Sequence, residues 1–377
     1  MVEPKSLCVG IPGEIKPGEF RVAGTPEHVR RLLGLGCPVV VQRGAGTGSG
    51  FADEDYAAAG ATLTDTLHDV YEQADLLWKV KEILPDEFDL VQGKHIIYTY
   101  LHAPPRREMT RVLLQSGCVA IAYEEMLDSE GRHFALAPMS RLAGVGAVVV
   151  AGQFCQALYQ GCGKLLFRTA GVEPVSMTIL GGGVAGSAAA GAALSAGANV
   201  MIVEANPQTA RELEGTHPDA TVRGYSEAML RDALPTTDVL INCVMWMPGD
   251  SKLVTRDMLA SMREGSLIVD VAADPNGAIE TTQTTTHDEP IRIVDGVLHY
   301  AVQNIPSLFA NTATRLLSEV TWPGLERIAR DGLCTALRGS RSLLSGVQFW
   351  RGQAVGELLA ETQGIATIPH EAIEDLV

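Results

Sequence analysis

Three glycines at the end of an apolar run, Met177-Thr-Ile-Leu-Gly181-Gly-Gly183-Val184-Ala185-Gly186, carry the clearest chemical pattern in the chain. In this G-x-G-x-x-G spacing the first glycine permits a tight turn and the second lets backbone approach a pyrophosphate. The third lets a helix pack closely on a strand. Phosphates placed there would meet the unpaired N–H groups and positive dipole end of a helix. A second apolar run, Ala198-Asn-Val-Met-Ile-Val203, ends in Glu204. A carboxylate at that point accepts hydrogen bonds from ribose hydroxyls and repels a 2′-phosphate. Ala205 and Asn206 follow, with no Arg or Lys to welcome such a phosphate, so the pattern selects NAD over NADP. The alternative for Glu204 is a solvated acid at a strand end.

Other reactive side chains sit at the ends of predicted strands. His102 ends Ile96–Leu101 and precedes Pro104-Pro105, where an imidazole can titrate near neutrality. Asp274 lies just past Leu267–Ala272, where the carboxyl ends of parallel strands border a ligand crevice. It suits a general base or a partner for an imidazole or ammonium. Lys79 and Lys81 alternate along Leu76–Glu82 and so share one face of an extended segment. Arg21, between the first strand and first helix, suits a bidentate grip on a carboxylate. Taken singly, each has a plainer reading: a satisfied histidine, a loop-capping aspartate, surface charges. Asp270, inside its strand, reads as structural.

Composition narrows the class. A chain of 377 residues with 46% hydrophobic and 20% charged residues fits a globular protein of two domains. The net charge of −16 excludes nucleic acid and anionic membrane as expected partners, though a local basic pocket could still take a small anion. Seven cysteines without a C-x-x-C suggest reduced thiols in a cytoplasmic protein, with no disulfide framework and no metal site. Residues 177–203 carry no charge, which alone would suggest a membrane span. The run nevertheless divides into β-rich, glycine-rich and alanine-rich thirds without a basic flank, as expected of a buried parallel strand and its helix.

The elements that must position these groups alternate between strand and helix. Strands are predicted at 6–11, 38–42, 76–80, 95–100 and 119–122, with a helix from Pro26 to about Gly36 behind Thr25 as N-cap. A long helix over 140–161 leads into strands near 177–180, 199–204, 219–222, 238–243 and 266–271. Ser226 and Thr255 are predicted N-caps. After Asn304 the pattern is helical to the end, broken at Pro323. The glycine cluster Gly44–Gly50 reads as a flexible surface loop, because Phe51-Ala-Asp-Glu-Asp55 sets acids where a phosphate would lie. The expected fold is α/β with two Rossmann-like domains. A NAD-binding doubly wound parallel sheet (135–310) is inserted into a discontinuous substrate domain (1–134 with 311–377).

Taken together, several blocks resemble the alanine dehydrogenase family, which is related to the α-subunit of proton-pumping transhydrogenase. They are Gly13–Ala23, Leu77–Glu82, Tyr100-Leu-His102, Leu136–Ser140, the glycine loop, Val269–Asp274, Thr285–Asp288 and Asn304-Ile-Pro306. Transhydrogenase is the poorer match, since its Arg-Gln-Asp-Arg loop and an added membrane-anchored region are missing. The resemblance implies that Arg21 and Lys81 hold the substrate carboxylate and carbonyl, and that His102 and Asp274 form the acid–base pair. It also implies that Met139, Ser140 and Asn304 line the nicotinamide and substrate cleft. Expected cofactor contacts are then Ser140, Gly181, Gly183, Val184, Ala185, Gly186, Glu204, Val244, Asp274 and Asn304.

The implied reaction is reversible, NAD-dependent oxidative deamination of an amino acid to a 2-oxo acid by a homo-oligomer, a hexamer by resemblance. Departures from the family pattern at Arg141, Phe167–Val172 (with Arg168), Asp274–Gly277, Ser318–Thr321 (with Glu319) and Trp246 suggest a substrate that need not be alanine. Two alternatives are an opine- or saccharopine-type dehydrogenase with an amino acid as amine donor, and a non-catalytic NAD-binding regulatory protein.

Overall fold

A computed structural model describes residues 7–246, 249–273 and 277–376. The strands in chain order are β1 (Val9–Ile11), β2 (Val39–Gln42), β3 (Thr62–Thr64), β4 (Leu76–Trp78), β5 (Ile96–Thr99) and β6 (Val119–Ala122). There follow β7 (Ser176–Leu180), β8 (Asn199–Glu204), β9 (Thr221–Gly224), β10 (Val239–Asn242), β11 (Leu267–Asp270), β12 (Ile291–Val294) and β13 (Val297–Tyr300). The last are β14 (Val347–Trp350), β15 (Gln353–Val355) and β16 (Thr367–Ile368). The chain forms two compact units, Met1–Met139 with Phe309–Val377, and Ser140–Leu308.

The first unit holds a sheet in the order β16-β15-β14-β6-β5-β4-β1-β2-β3. From β3 to β6 all neighbours are parallel, and β14 joins antiparallel to β6. Strands β1, β4, β5 and β6 are buried along their whole length, as parallel strands covered on both faces must be. The strand order reverses beside β1, and the loops after β1, β4 and β5 leave the sheet side by side at this switch point. Ligand crevices form at such places.

The second unit repeats the plan in the order β9-β8-β7-β10-β11-β13-β12, parallel except for the β12–β13 hairpin. Its switch point lies at β7, directly before the glycine loop. One apolar cluster in this unit joins Leu180, Val203, Leu240 and Ile268 to Leu230, Met258 and Leu259.

Several expectations need correction. Helix 310–331 runs through Pro323 without a break, because the buried face formed by Leu317, Leu325 and Ile328 outweighs one missing backbone bond. The tail beyond it is not wholly helical, since β14–β16 extend the first sheet. The long connector helix spans Ala137–Phe154 instead of 140–161; Gln160 takes a left-handed φ of 63° and Gly163 N–H bonds back to the Cys155 carbonyl at 2.7 Å. Ser226 caps its helix through the Met229 N–H. Thr25 instead turns its hydroxyl to His28 Nδ1 at 2.8 Å, and Thr255 turns to Asp257.

The loop after β2 is no loose surface segment either. Ser49 within it is buried and binds the Phe20 carbonyl at 3.0 Å and Thr314 at 2.7 Å, which fastens it to the segment carrying Arg21. Among the described residues no helix is long and apolar enough to cross a membrane.

Candidate active site

In the first unit, the three loops at the switch point bring Arg21, Lys81 and His102 to neighbouring strand ends. Strand β4 stops at Trp78, so Lys79 and Lys81 lie beyond it and do not share a strand face. Their surroundings differ. Lys79 is fully buried, with Nζ 2.7 Å from Glu87 and 3.5 Å from Glu14. Glu14 also accepts the Val80 N–H at 2.6 Å, and Tyr71 donates to Glu87 at 2.7 Å. This buried network fastens the loop that carries Arg21 to the end of β4.

Arg21 is itself buried. Its Nε and Nη2 donate to the two carboxylate oxygens of Glu19 at 2.7 and 2.6 Å, while Nη1 points to Met139 Sδ at 3.3 Å. The fork expected to clasp a substrate carboxylate is therefore closed on Glu19 along its Nε–Nη2 edge. Burial raises the Glu19 carboxyl, but Arg21 and Lys81 outweigh it and hold the group at about 2. The Lys81 ammonium is pushed down to about 8, first by burial and then by the Arg21 cation. A cavity of about 260 Å³ opens beside Arg21, lined in part by Gly13, Glu14, Glu19, Gln42 and Gly48.

His102 adopts a left-handed backbone with φ 45°, which a side chain rarely tolerates. Glu124 accepts its N–H at 2.5 Å and that of Leu101 at 3.1 Å. The Tyr100 ring stacks on the imidazole with centroids 5.8 Å apart. The His102 side chain is 40% exposed, and partial burial, followed by the Lys81 and Arg106 cations, holds its pKa below the ordinary value, which favours the neutral ring. Glu124 is pushed up to about 7 by burial against its backbone hydrogen bonds.

In the second unit, Gly181 turns with φ 82° and donates its N–H to the Val203 carbonyl at 2.9 Å. A Cβ on Gly186 would fall 1.8 Å from the Gly181 carbonyl oxygen, so only glycine lets the helix start this close to the strand. By contrast, a Cβ on Gly183 would meet no atom within 4 Å. Gly183 precedes helix Val184–Ala196, and no side chain caps that helix start. An open cradle over uncapped N–H groups fits a dinucleotide pyrophosphate. Glu204 accepts the Gly182 and Asn206 N–H groups, both at 2.7 Å, one on each oxygen. A carboxylate has capacity left for ribose hydroxyls beyond these two bonds. Val244 follows β10, its N–H bound to Asn242 Oδ1 at 3.2 Å. Ser140 lies in the connector helix, and Asn304 has a left-handed φ of 77°. Asp274 lies outside the described residues, as do Pro275 and Asn276.

Residues 10–143 match the family model "Alanine dehydrogenase/PNT, N-terminal domain", and residues 147–357 match its C-terminal counterpart. The chain belongs to this family. It is 39% identical over 375 residues to an alanine dehydrogenase of Bacillus subtilis, covering 98% of each chain. To that of Halomonas elongata it is 38% identical over 362 residues, covering 95% of this chain and 97% of the other. A solved L-alanine dehydrogenase superposes with a TM-score of 0.90 at 37% identity, covering 94% of this chain and 99% of that one.

Within the alanine dehydrogenase family frame, two of the departures have local partners inside their own unit. Glu319 pairs with Arg31 at 3.1 Å and faces His28, while the Arg168 side chain lies against Gly197. What the residue pattern did not reveal is the set of buried carboxylates, Glu14, Glu19, Glu82 and Glu124, that hold the cationic and imidazole groups in place. The only trace of them in the sequence is charge beside otherwise apolar strand ends.

Proposed function

We propose that the chain is an NAD-dependent amino-acid dehydrogenase, with L-alanine and pyruvate the first pair to test because its relatives are alanine dehydrogenases. The observation that carries this reading is the convergence of Arg21, Lys81 and His102 on adjacent strand ends of one sheet. A separate doubly wound unit supplies the glycine loop. NAD, when bound, would supply the acceptor for a hydride from the substrate α-carbon. Gly183 and the first N–H groups of helix Val184–Ala196 would hold its pyrophosphate, and Glu204 its ribose.

The protein's own groups do the rest. Arg21 attracts the substrate carboxylate, and Lys81 places an ammonium against the developing oxygen. Neutral His102 takes a proton from attacking water on an imidazole nitrogen and returns it to the leaving ammonia. Asp274 is proposed as its acid–base partner. In balance, amino acid, NAD+ and water give 2-oxo acid, ammonium, NADH and one proton. Free thiols at the described cysteines suit the reducing cytoplasm proposed for it.

NADH oxidation across a panel of 2-oxo acids, with ammonia or amino acids as amine donor, tests the reading. Turnover with ammonia is expected. Turnover with amino acids alone would move the chain to opine-type chemistry, and NADH binding without any turnover would make it a regulatory binder. His102→Ala should lower kcat about 100-fold, the lower end of what a positioned acid–base group contributes. Near wild-type turnover in that variant would remove His102 from the mechanism. Light scattering of the purified protein checks the proposed homo-oligomer.

A further inference from the structure

The acid–base reading gives no task to the charged groups that flank His102 and Lys81. Glu82 directly follows Lys81 and is buried, and its Oε1 accepts from two cations, Lys16 Nζ at 2.7 Å and Arg106 Nη2 at 2.6 Å. Arg106 is thereby drawn across the loop after β5, where its Nη1 donates to the His102 carbonyl at 2.6 Å. Lys16 lies on the loop that carries Arg21. One carboxylate oxygen thus ties together the three segments bearing Arg21, Lys81 and His102.

We propose that Glu82 and Arg106 are positioning residues, a brace that sets His102 against Lys81 for proton transfer. The proposal rests on His102 being the acid–base group. A non-glycine residue at φ 45° persists only where its surroundings over-determine it. The Glu124 carboxylate fixes the peptide N–H on one side of His102, and Arg106 fixes the carbonyl on the other. The turn is closed by the Arg106 N–H bonding to the Ala103 carbonyl at 2.9 Å, with Pro104 and Pro105 between them. The Arg106 side chain is 30% exposed, and a half-open ion pair adds little to stability. What it does add is geometry: a planar fork offers separate nitrogens to a carboxylate and to a carbonyl in a fixed orientation, where lysine offers a single nitrogen.

The two halves of the brace carry opposite charge, and this separates positioning from a merely structural role. The charged groups facing His102 are Lys81, Glu82, Arg106, Lys16 and Glu124. Arg106→Ala removes a cation and should move the acid limb of the kcat/KM profile to higher pH. Glu82→Gln removes an anion and should move it to lower pH. Both should lower kcat about tenfold or more, because a small misplacement of a reacting group is costly. NADH affinity should change less than about twofold, since the glycine loop is untouched. Arg106→Lys should restore the acid limb but not kcat. Arg107→Ala, whose guanidinium instead reaches the Gln363 carbonyl, should behave as wild type.

All variants are assayed as full chains, with L-alanine and NAD, beside His102→Ala. Wild-type kcat and an unmoved acid limb in both Arg106→Ala and Glu82→Gln, with kcat of His102→Ala lowered as expected, would overturn the brace. Full turnover by His102→Ala would instead overturn the acid–base reading itself. Should Glu82→Gln fail to fold, the Arg106 variants decide alone, because they alter a partly exposed arm.

Discussion

Replacing Lys81 with methionine is expected to remove nearly all turnover and, at pH 7, to make the protein more stable. The first half follows from the site: a preorganised cation against a developing oxyanion contributes about 100- to 1,000-fold in kcat. The second half follows from linkage. Lys81 is buried and its ammonium is held at about 8, below the ordinary value for lysine. Below pH 8 it is protonated in both states, so the native state bears the whole penalty of a buried cation. A depression of this size corresponds to about 3 kcal/mol. Between pH 8 and the ordinary lysine range the unfolded chain holds the extra proton, so native stability rises with pH and the penalty fades. Methionine keeps the length of the side chain and removes the charge. Thermal melts at pH 7 should show Lys81→Met several degrees above wild type, with the difference shrinking toward pH 10. The same ionisation places an alkaline limb near pH 8 in kcat/KM of the wild type. A lower melting temperature at pH 7, or more than a tenth of wild-type activity, would contradict the placement of Lys81.

Why stability and activity should oppose each other here is visible in the neighbours. The Arg21 cation lies close enough to Lys81 to hold its pKa down, an effect that Glu19 and Glu82 oppose. A substrate carboxylate would relieve this repulsion between like charges. Keeping two cations together destabilises the folded chain and attracts the ligand.

The sequence revealed those parts of the architecture where physics leaves few choices. Gly181 and Gly186 are needed for a left-handed turn and a backbone approach that no side chain permits, so their spacing alone marks the loop. Doubly covered strands such as β5 and β11 read as apolar runs, and their observed ends fall within one or two residues of expectation. Short edge elements did not read so clearly. The hairpins β12–β13 and β14–β15 turn on Asp295-Gly296 and Arg351-Gly352, each with both residues at positive φ. Asp-Gly is a recognised signal for such a turn, yet Ile291–Val294 is only partly buried and lacks the apolar run of a core strand. Pro323 misled for the opposite reason, because local propensity there loses to the buried face of a long helix.

The candidate site was legible as a set of reactive groups and illegible as an arrangement. Lys81 and His102 stand just past strands that apolar runs announce, and Arg21 lies on the loop between the first strand and the first helix. Some of the groups that fix this region lie far away in the chain: Glu124 accepts the His102 N–H, and Glu14 stands beside Lys79. No local pattern pairs residues that meet only when strands β1, β4, β5 and β6 lie side by side. Charge assignment misled as well. Lys79, Lys81 and Arg21 each read singly as surface charges, whereas all three are buried, Lys79 against Glu14 and Glu87 and Arg21 against Glu19.

Two glycines of the cofactor loop should fail in different ways, and the contrast tests where the pyrophosphate lies. Gly186→Ala puts a methyl 1.8 Å from a backbone oxygen, a distance no side-chain rearrangement relieves. The helix start must shift, so the second unit should melt earlier and NADH binding should be lost even before any ligand clash is considered. Gly183 has an ordinary φ of −64° and open space around its Cβ position. Gly183→Ala should therefore leave the melting temperature of the ligand-free protein unchanged. Its methyl would, however, stand where the pyrophosphate approaches the backbone, and NADH should bind about 10- to 100-fold more weakly, or roughly 1.4–2.8 kcal/mol. Fluorescence titration with NADH and a melt without it separate the two outcomes. Wild-type NADH affinity in Gly183→Ala would mean that the phosphates do not cross this residue, and the cradle would have to be sought elsewhere. Weak binding with an intact fold ties the open space over Gly183 to the ligand, because no described residue fills that space.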